Sequence, residues 1–382
     1  MFRPGSIQSH MTFRDKILSL DLILFFSILI LGIVSFFAMY STDSGEFAYH
    51  TKSHIVRFFV FFLLFIVVSF LKLNFWYNSS TYLYLGFLIL LLLVKFFGLS
   101  SSGSQRWLNL FFINLQPSEL MKIGLILFLA KYYHRISASD VNRAKYLLSP
   151  LVALIFPVIL VLTQPDLGTA FLIAAGGVIV IWLAGVKMKF FAYLALAFLS
   201  LAPIAISFLK PYQKSRILTF LDPSRDPLGA GYQITQSKIA IGSGGLFGKG
   251  FLNGSQSYLD YLPEKHTDFI FTLFSEEFGF FGSCLILSLY VLITWRIVRI
   301  GNTTRDAFAK LYCFSFATAF FIYVAVNMGM VLGLIPIVGA PLPILSYGGS
   351  SMMAMMLGLG IVMSCKIHKD LPVGWYNSKY TI

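Results

Sequence analysis

The sequence predicts an all-α integral membrane protein of about ten transmembrane helices, with a large extracytoplasmic loop between helices 7 and 8. Apolar residues make up 57% of the chain and charged residues only 12%, whereas soluble domains carry about 25% charge. Apolar runs of about twenty residues, long enough to cross a hydrocarbon core of about 30 Å, recur between residues 18 and 362. Because lipid cannot satisfy open backbone groups, these runs must be helices.

The apolar runs define one polytopic membrane domain over residues 1–382, with the long loop at residues 210–266. The first apolar run lacks a small-residue cleavage site, so we interpret it as a retained span and not as a signal peptide. The predicted spans cover residues 18–40, 54–72, 81–98, 117–134, 147–163, 169–185, 188–209, 267–296, 308–333 and 344–365.

The positive charges indicate the orientation. Lys and Arg cluster in short gaps between the spans, and placing the N-terminus in the cytoplasm puts most of these gaps on the cytoplasmic side. Both termini are then cytoplasmic, and the outer face carries loops at residues 100–116, 164–168 and 210–266. The net charge of +13 reflects this bias and attraction to anionic membrane lipids, so nucleic acid is not an expected partner.

The fourth span opens with charged residues in the motif QPSELMK. Glu119 and Lys122 are spaced i, i+3 and can pair on one helix face. Such charges at membrane depth mark a functional site unless they form a structural ion pair at the interface, and the sequence leaves both readings open. Arg106 and Trp107, in the preceding loop, suit a phosphate group or a sugar face, although Trp107 also suits an interfacial anchor.

A short turn, QPDLGT, contains Asp166 between two spans. Such a carboxylate commonly caps the following helix. With a second carboxylate nearby it could instead bind a hard cation such as Mg²⁺, which prefers oxygen ligands.

The long loop contains the glycine-rich stretch GSGGLFGKG. It fails the P-loop pattern at Ser243 and Gly250 and the dinucleotide pattern at Phe247, so no soluble nucleotide site is expected. The glycines would let the backbone approach a bulky ligand or another helix. Lys238 and Lys249 supply cations for an anionic group.

The stretch LPEKHTDFIF returns the chain to the membrane and places Asp268 where the polar loop becomes an apolar helix. A single acid there could be an N-cap, but among so many polar groups a general base is the better interpretation. No Ser-His-Asp or Cys-His set has suitable spacing, so a covalent nucleophile is not expected.

The last polar element, residues 327–351, is broken by prolines and opens the final helix at Ser346 with glycines and hydroxyl groups. Such broken ends are tolerated at membrane depth where they line protein or a cavity. Close helix packing through small residues is the alternative explanation.

Together these segments resemble the SEDS family of bacterial cell-wall polymerases, and the elongation-type RodA branch more than FtsW or the sporulation proteins. The resemblance covers nearly the whole chain, in family order. The matching motifs are QPSELMK, PDLGT, GYQITQSKIAIGSGGLFGKG, LPEKHTDFIF, EEFG and NMGMVLGLIPIVGAPLPILSYGG. Phe278 stands where the family more often has Leu.

The resemblance implies a ten-helix peptidoglycan glycosyltransferase of the bacterial cytoplasmic membrane that polymerises lipid II, a polyprenyl-diphosphate-linked disaccharide-pentapeptide, on the outer face. The family's catalytic aspartate corresponds to Asp268. The substrate-binding candidates are Arg106, Trp107, Glu119, Lys122, Lys238 and Ser346.

Cofactor and partners follow from the same resemblance and from the residue types. Asp166 and Asp268 are the candidate ligands for a divalent cation, Mg²⁺ or Mn²⁺, and no organic cofactor is expected. A class B penicillin-binding protein and the elongation machinery are the expected partners. A lipid II flippase and a scaffold without chemistry are the competing hypotheses.

Overall fold

A computed structural model describes residues 12–101, 104–109, 114–207, 211–222, 225–226, 229–255 and 262–373. Parts of the predicted long loop and both predicted cytoplasmic tails lie outside these residues. The helices are α1 (Phe13–Leu18), α2 (Leu22–Thr42), α3 (Tyr49–Phe70), α4 (Leu73–Phe97), α5 (Pro117–His134), α6 (Ala144–Thr163), α7 (Leu167–Leu183), α8 (Met188–Ser207), α9 (Pro211–Leu221), α10 (Ala230–Ser243), α11 (Ile270–Thr303), α12 (Ala307–Val331) and α13 (Gly349–Ile367).

The predicted spans correspond to ten of these helices, α2 to α8 and α11 to α13, which confirms a multi-pass, helical membrane protein. By length and composition, seven helices in the described part of the chain could cross a membrane. Two of the other three differ for identifiable reasons: α7 is only 17 residues long, and α5 contains charged residues that are buried inside the protein. The third, α8, is a helix of 20 residues with a mostly apolar sequence.

The first span begins later than the sequence indicates because Asp21 caps it. The Asp21 carboxylate accepts a hydrogen bond from the backbone N–H of Leu24 at 3.0 Å, which starts α2 at Leu22. Arg296 of α11 pairs with the same carboxylate. The start of α2 is therefore tied to α11 by an ion pair whose carboxylate also caps the helix.

A small antiparallel sheet, which the sequence analysis did not predict, lies in the loop before α5. It consists of β1 (Leu99–Ser101), β2 (Ser104–Asn109) and β3 (Asn114–Leu115), in the order β1-β2-β3. The sheet, α9 and α10 lie at one end of the helix bundle, which we call the loop end. Strand β2 carries Arg106 and Trp107 there.

The buried centre of the bundle is formed by α5 and α13. Most of α5 is buried, including its charged residues, and α13 packs against α3 and α5. Gly360 of α13 permits the close approach to α3, because a Cβ atom there would lie 2.5 Å from Val68 Cγ1. Lipid-facing side chains belong mainly to the outer helices, where large apolar residues are exposed.

Helix α11 is interrupted at Gly279, where φ is 65° and ψ is −159°. The glycine-rich loop pairs with the break: the N–H of Phe280 donates to Gly245 O at 2.9 Å, and the N–H of Lys249 donates to Glu276 O at 3.0 Å. A Cβ atom on Gly248 would lie 2.0 Å from Glu277 O. These glycines therefore allow one backbone to approach another helix, as one of the two sequence interpretations holds.

Candidate functional site

Asp268 lies in the turn that precedes α11 at the loop end, as the sequence predicts. Asn327, a fully buried residue of α12, donates from Nδ2 to the Asp268 carbonyl at 3.0 Å and to the Ala340 carbonyl at 2.7 Å. This amide joins the turn to the chain that leads into α13. The backbone of Asp268 is therefore held by residues from two other segments.

A second anchor holds the same turn from the side of α2. The backbone carbonyl of His266 accepts from Tyr347 N at 2.8 Å, and His266 Nε2 lies 2.9 Å from Asp43 Oδ1. Asp43 also accepts from Thr51 Oγ1 at 2.6 Å. Through Asp43, the end of α2 and the start of α3 are therefore connected to His266, which lies two residues before Asp268 in the chain.

Asp268 is partly exposed to solvent, but its carboxyl group is densely surrounded by protein atoms. This loss of hydration, together with the negative charge of Glu264, raises its pKa to about 7. Asp166 adds to the increase, whereas Arg216 and Arg106 oppose it. A carboxyl with this pKa can exchange a proton near neutral pH.

Asp166 caps α7 and also pairs with a cation. Its carboxylate accepts from Thr169 N at 3.1 Å and from Thr169 Oγ1 at 2.9 Å. Arg106 Nη1 lies 3.4 Å from Oδ2, and Gln116 Nε2 donates to the same oxygen at 3.3 Å. The helix-cap interpretation is therefore correct, and the Arg106 guanidinium lies beside it.

The predicted Mg²⁺ or Mn²⁺ site at Asp166 and Asp268 does not fit this arrangement well. Both oxygens of Asp166 already accept hydrogen bonds, and a divalent cation there would meet the fixed positive charge of Arg106. Among the described residues, metal-ligand side chains group instead at Asp43, His50 and His266, whose ligand atoms lie within 4.8 Å of one another.

Glu119 and Lys122 form a buried ion pair in the first turns of α5. Lys122 Nζ lies 2.8 Å and 2.9 Å from the two Glu119 oxygens, and 4.2 Å from the centre of the Tyr323 ring. The Tyr323 hydroxyl reaches Glu119 at 3.5 Å, and the charges of Glu119, Asp166 and Asp268 all act on it. The pair faces the protein interior, beside a cavity of about 20 Å³ that Lys122 and Tyr323 help to line.

Breaking this buried pair should destabilise the protein. We expect Lys122→Met to lower the free energy of unfolding by about 3–5 kcal/mol, because Glu119 would be left as an uncompensated buried charge. Asp140→Asn removes an exposed i, i+3 pair with Arg143 and should change stability by less than about 1 kcal/mol. Thermal unfolding in detergent measures both, and equal effects would show that Glu119 needs no partner.

Ser346 and Trp107 lie at the loop end, in different surroundings. Ser346 is 3% exposed, and its hydroxyl accepts from Leu342 N at 2.7 Å. The hydroxyl thus stabilises the turn before α13 and faces the protein. Trp107, on β2, is half-buried beside Arg106.

The chain is similar to known proteins over most of its length. The sequence model of the FTSW_RODA_SPOVE cell cycle protein family matches residues 16–371. The chain belongs to this family. Peptidoglycan glycosyltransferase MrdB of Escherichia coli (strain K12) is 44% identical over 295 residues, which cover 76% of this chain and 79% of that protein. The predicted resemblance to the SEDS polymerases is thereby confirmed.

Two solved structures share the fold of this FtsW/RodA/SpoVE family member. The rod shape determining protein RodA of Thermus thermophilus is 27% identical, with a TM-score of 0.70, over 92% of this chain and 98% of that chain. A chain described under "Structural coordination of polymerization and crosslinking by a peptidoglycan synthase complex" is 30% identical, with a TM-score of 0.79, over 92% and 98% of the two chains.

The predicted cations of the long loop have different surroundings in this family member. Lys249 pairs with the buried carboxylate of Glu276, which also accepts from Ser255 Oγ at 2.8 Å, so Lys249 holds the loop to α11. Lys238 is exposed on α10. Arg216, which the sequence analysis did not single out, is exposed on α9, and its charge acts on Asp268.

Proposed function

We propose that this chain is a peptidoglycan glycosyltransferase that polymerises lipid II into β-1,4 glycan strands during cell elongation. The observation that carries the proposal is Asp268, a carboxyl with a pKa of about 7 in the same cluster as Asp166 and the cation of Arg106. The similarity to the E. coli glycosyltransferase MrdB supports the same chemistry. We place the loop end on the outer face of the cytoplasmic membrane and both termini inside the cell, because most short basic loops then lie in the cytoplasm.

In the proposed reaction, the Asp268 carboxylate accepts the proton of the acceptor 4-hydroxyl as that oxygen attacks the anomeric carbon of the donor. The new C–O bond forms with inversion. The bond from the anomeric carbon to the diphosphate oxygen breaks, and its electron pair leaves with the diphosphate. Nearby cations stabilise the leaving charge, and no strong general acid is needed because diphosphate is a good leaving group.

The outer-face residues have separate roles in this proposal. Arg106 and Trp107 border the substrate, and Glu119 with Lys122 keeps the start of α5 rigid beneath it. A class B penicillin-binding protein is the proposed partner. One structural relative belongs to a peptidoglycan synthase complex that coordinates polymerisation with crosslinking, which supports this pairing.

A two-armed assay tests the function. Purified full-length protein, with and without a class B penicillin-binding protein, is incubated with labelled lipid II in detergent and in liposomes that report which leaflet holds the lipid. Glycan polymer supports the proposal. Movement of lipid II between leaflets without polymer would instead indicate a transporter. If neither polymer nor movement is observed, the scaffold hypothesis remains.

The activity should depend on pH through Asp268. Below a pKa of about 7 the carboxyl is protonated and cannot accept a proton, so kcat/KM should fall about tenfold per pH unit on the acidic side. Initial rates between about pH 5 and pH 9 measure this, with thermal unfolding at each pH as the control for loss of fold. A flat profile through neutrality would contradict the assignment.

A further inference from the structure

The four candidate cations of the sequence analysis, together with Arg216, divide into two groups. Arg106 lies against Asp166, Lys122 against Glu119, and Lys249 against Glu276. These three charges are already balanced by carboxylates. Within the described ranges, Arg216 and Lys238 have no carboxylate at ion-pair distance, and both side chains are exposed.

Both of these cations rest on the same short stretch of backbone, residues 333–339, between α12 and α13. Arg216 Nη1 donates to the Ile337 carbonyl at 3.2 Å. Lys238 packs on Gly333, where a Cβ atom would lie 2.4 Å from Lys238 Cε and 2.8 Å from Nζ. The two extracytoplasmic helices α9 and α10 thus each contribute one cation to this stretch.

The same stretch also reaches the proposed base and the start of α7. A Cβ atom on Gly339 would lie 3.6 Å from Asp268 Oδ2. At Gly168, a Cβ atom would lie 2.2 Å from the Val338 carbonyl oxygen. Ile337 and Gly339 are two residues apart, so their Cα atoms are separated by at most about 7 Å. Arg216, Asp268 and the Asp166 cap therefore meet along one segment.

We propose that Arg216, assisted by Lys238, binds the diphosphate of the polyprenyl-diphosphate-linked donor. This inference rests on the proposed function and names the part of the site that holds the leaving group. A guanidinium fits two phosphate oxygens at once through its planar fork. One of its nitrogens is fixed by Ile337, which orients the fork, while the exposed side of the guanidinium remains open to a ligand.

The surroundings of Arg216 explain why it, and not Arg106 or Lys122, binds the diphosphate. Negative charge grows on the diphosphate as the bond to the sugar breaks, so an unbalanced cation stabilises it more than one already paired with a carboxylate. Arg106 would have to leave Asp166, and Lys122 is 8% exposed. Arg216 and Lys238 need no rearrangement.

The test measures binding without turnover. Full-length protein in detergent is titrated with geranylgeranyl diphosphate and, separately, with geranylgeraniol, which has the same chain without charge. We expect Arg216→Gln to weaken diphosphate binding about 10- to 100-fold, as for loss of a charge-assisted hydrogen bond, and to leave geranylgeraniol binding unchanged. Lys238→Gln should weaken it less, and Arg216→Lys should restore part of the affinity.

The control is Arg225→Gln, because Arg225 is an exposed cation of the same loop that already pairs with Asp222. It should bind both probes as the unaltered protein does. Equal diphosphate affinity in Arg216→Gln and the unaltered protein would overturn the inference, as would equal losses for both probes, which indicate a structural role. Either result leaves the lipid II polymerisation assay, and hence the proposed function, unaffected.

Discussion

Replacing Asp268 with asparagine should reduce polymerisation of labelled lipid II by about 10²- to 10⁴-fold, the usual contribution of a general base. The amide keeps the shape of the side chain but cannot take up the acceptor proton. The turn itself should persist, because its anchors are the backbone carbonyls of Asp268 and His266. Product length on a gel and initial rate measure the effect.

The matched control is Asp222→Asn, an exposed carboxylate on the same side of the protein. It should polymerise lipid II at the unaltered rate. Both variants should unfold at nearly the same temperature as the parent protein in detergent. Full activity of the Asp268 variant would refute its role as base, and lost activity accompanied by a lower unfolding temperature would point to a structural role instead.

The second large effect is expected at the break in α11. Gly279→Ala should lower the free energy of unfolding by about 3 kcal/mol or more, because the φ and ψ values of Gly279 lie in a region that is essentially restricted to glycine. The new methyl group would also lie 2.3 Å from Gly248 N. The variant should therefore lose the pairing between the glycine-rich loop and α11.

Gly245→Ala separates these two causes. Gly245 also has a positive φ, of 55°, but a Cβ atom there has nothing within 4 Å, so only the backbone strain of about 1–2 kcal/mol applies. Unfolding in detergent, followed by circular dichroism, should rank the parent protein first, Gly245→Ala second and Gly279→Ala last. Equal stability of the two variants would mean that the close approach contributes nothing.

The Asp268 and Gly279 substitutions test two different roles in the same region of the protein. The pairing of residues 244–250 with residues 276–281 holds α11 at its break, in the part of the helix nearest Asp268, which lies two residues before the helix begins. Loss of Gly279 should therefore also lower activity, whereas loss of the Asp268 carboxyl should not lower stability. This asymmetry distinguishes the scaffold from the chemistry.

Much of the candidate site could be predicted from the sequence because its members stand out chemically. Asp268, Asp166 and Glu119 are acids in or beside apolar runs, where an ionised group is costly. Arg216 gave no such signal, since it lies in a polar loop among other cations. Asn327 was likewise included only within a broader motif. Their importance depends on contacts with Ile337, Asp268 and Ala340.

The sequence by itself determined the ten apolar helices, the loop end as the polar end and Asp268 as the candidate base. It could do so because lipid permits only helices in such segments, and because an ionised residue in an apolar segment is costly and therefore stands out in the sequence. Only the tertiary structure decided which cations are already paired and which glycines are structural. Pairing depends on distances between elements far apart in the chain, such as residues 248 and 277, and no local pattern encodes those distances.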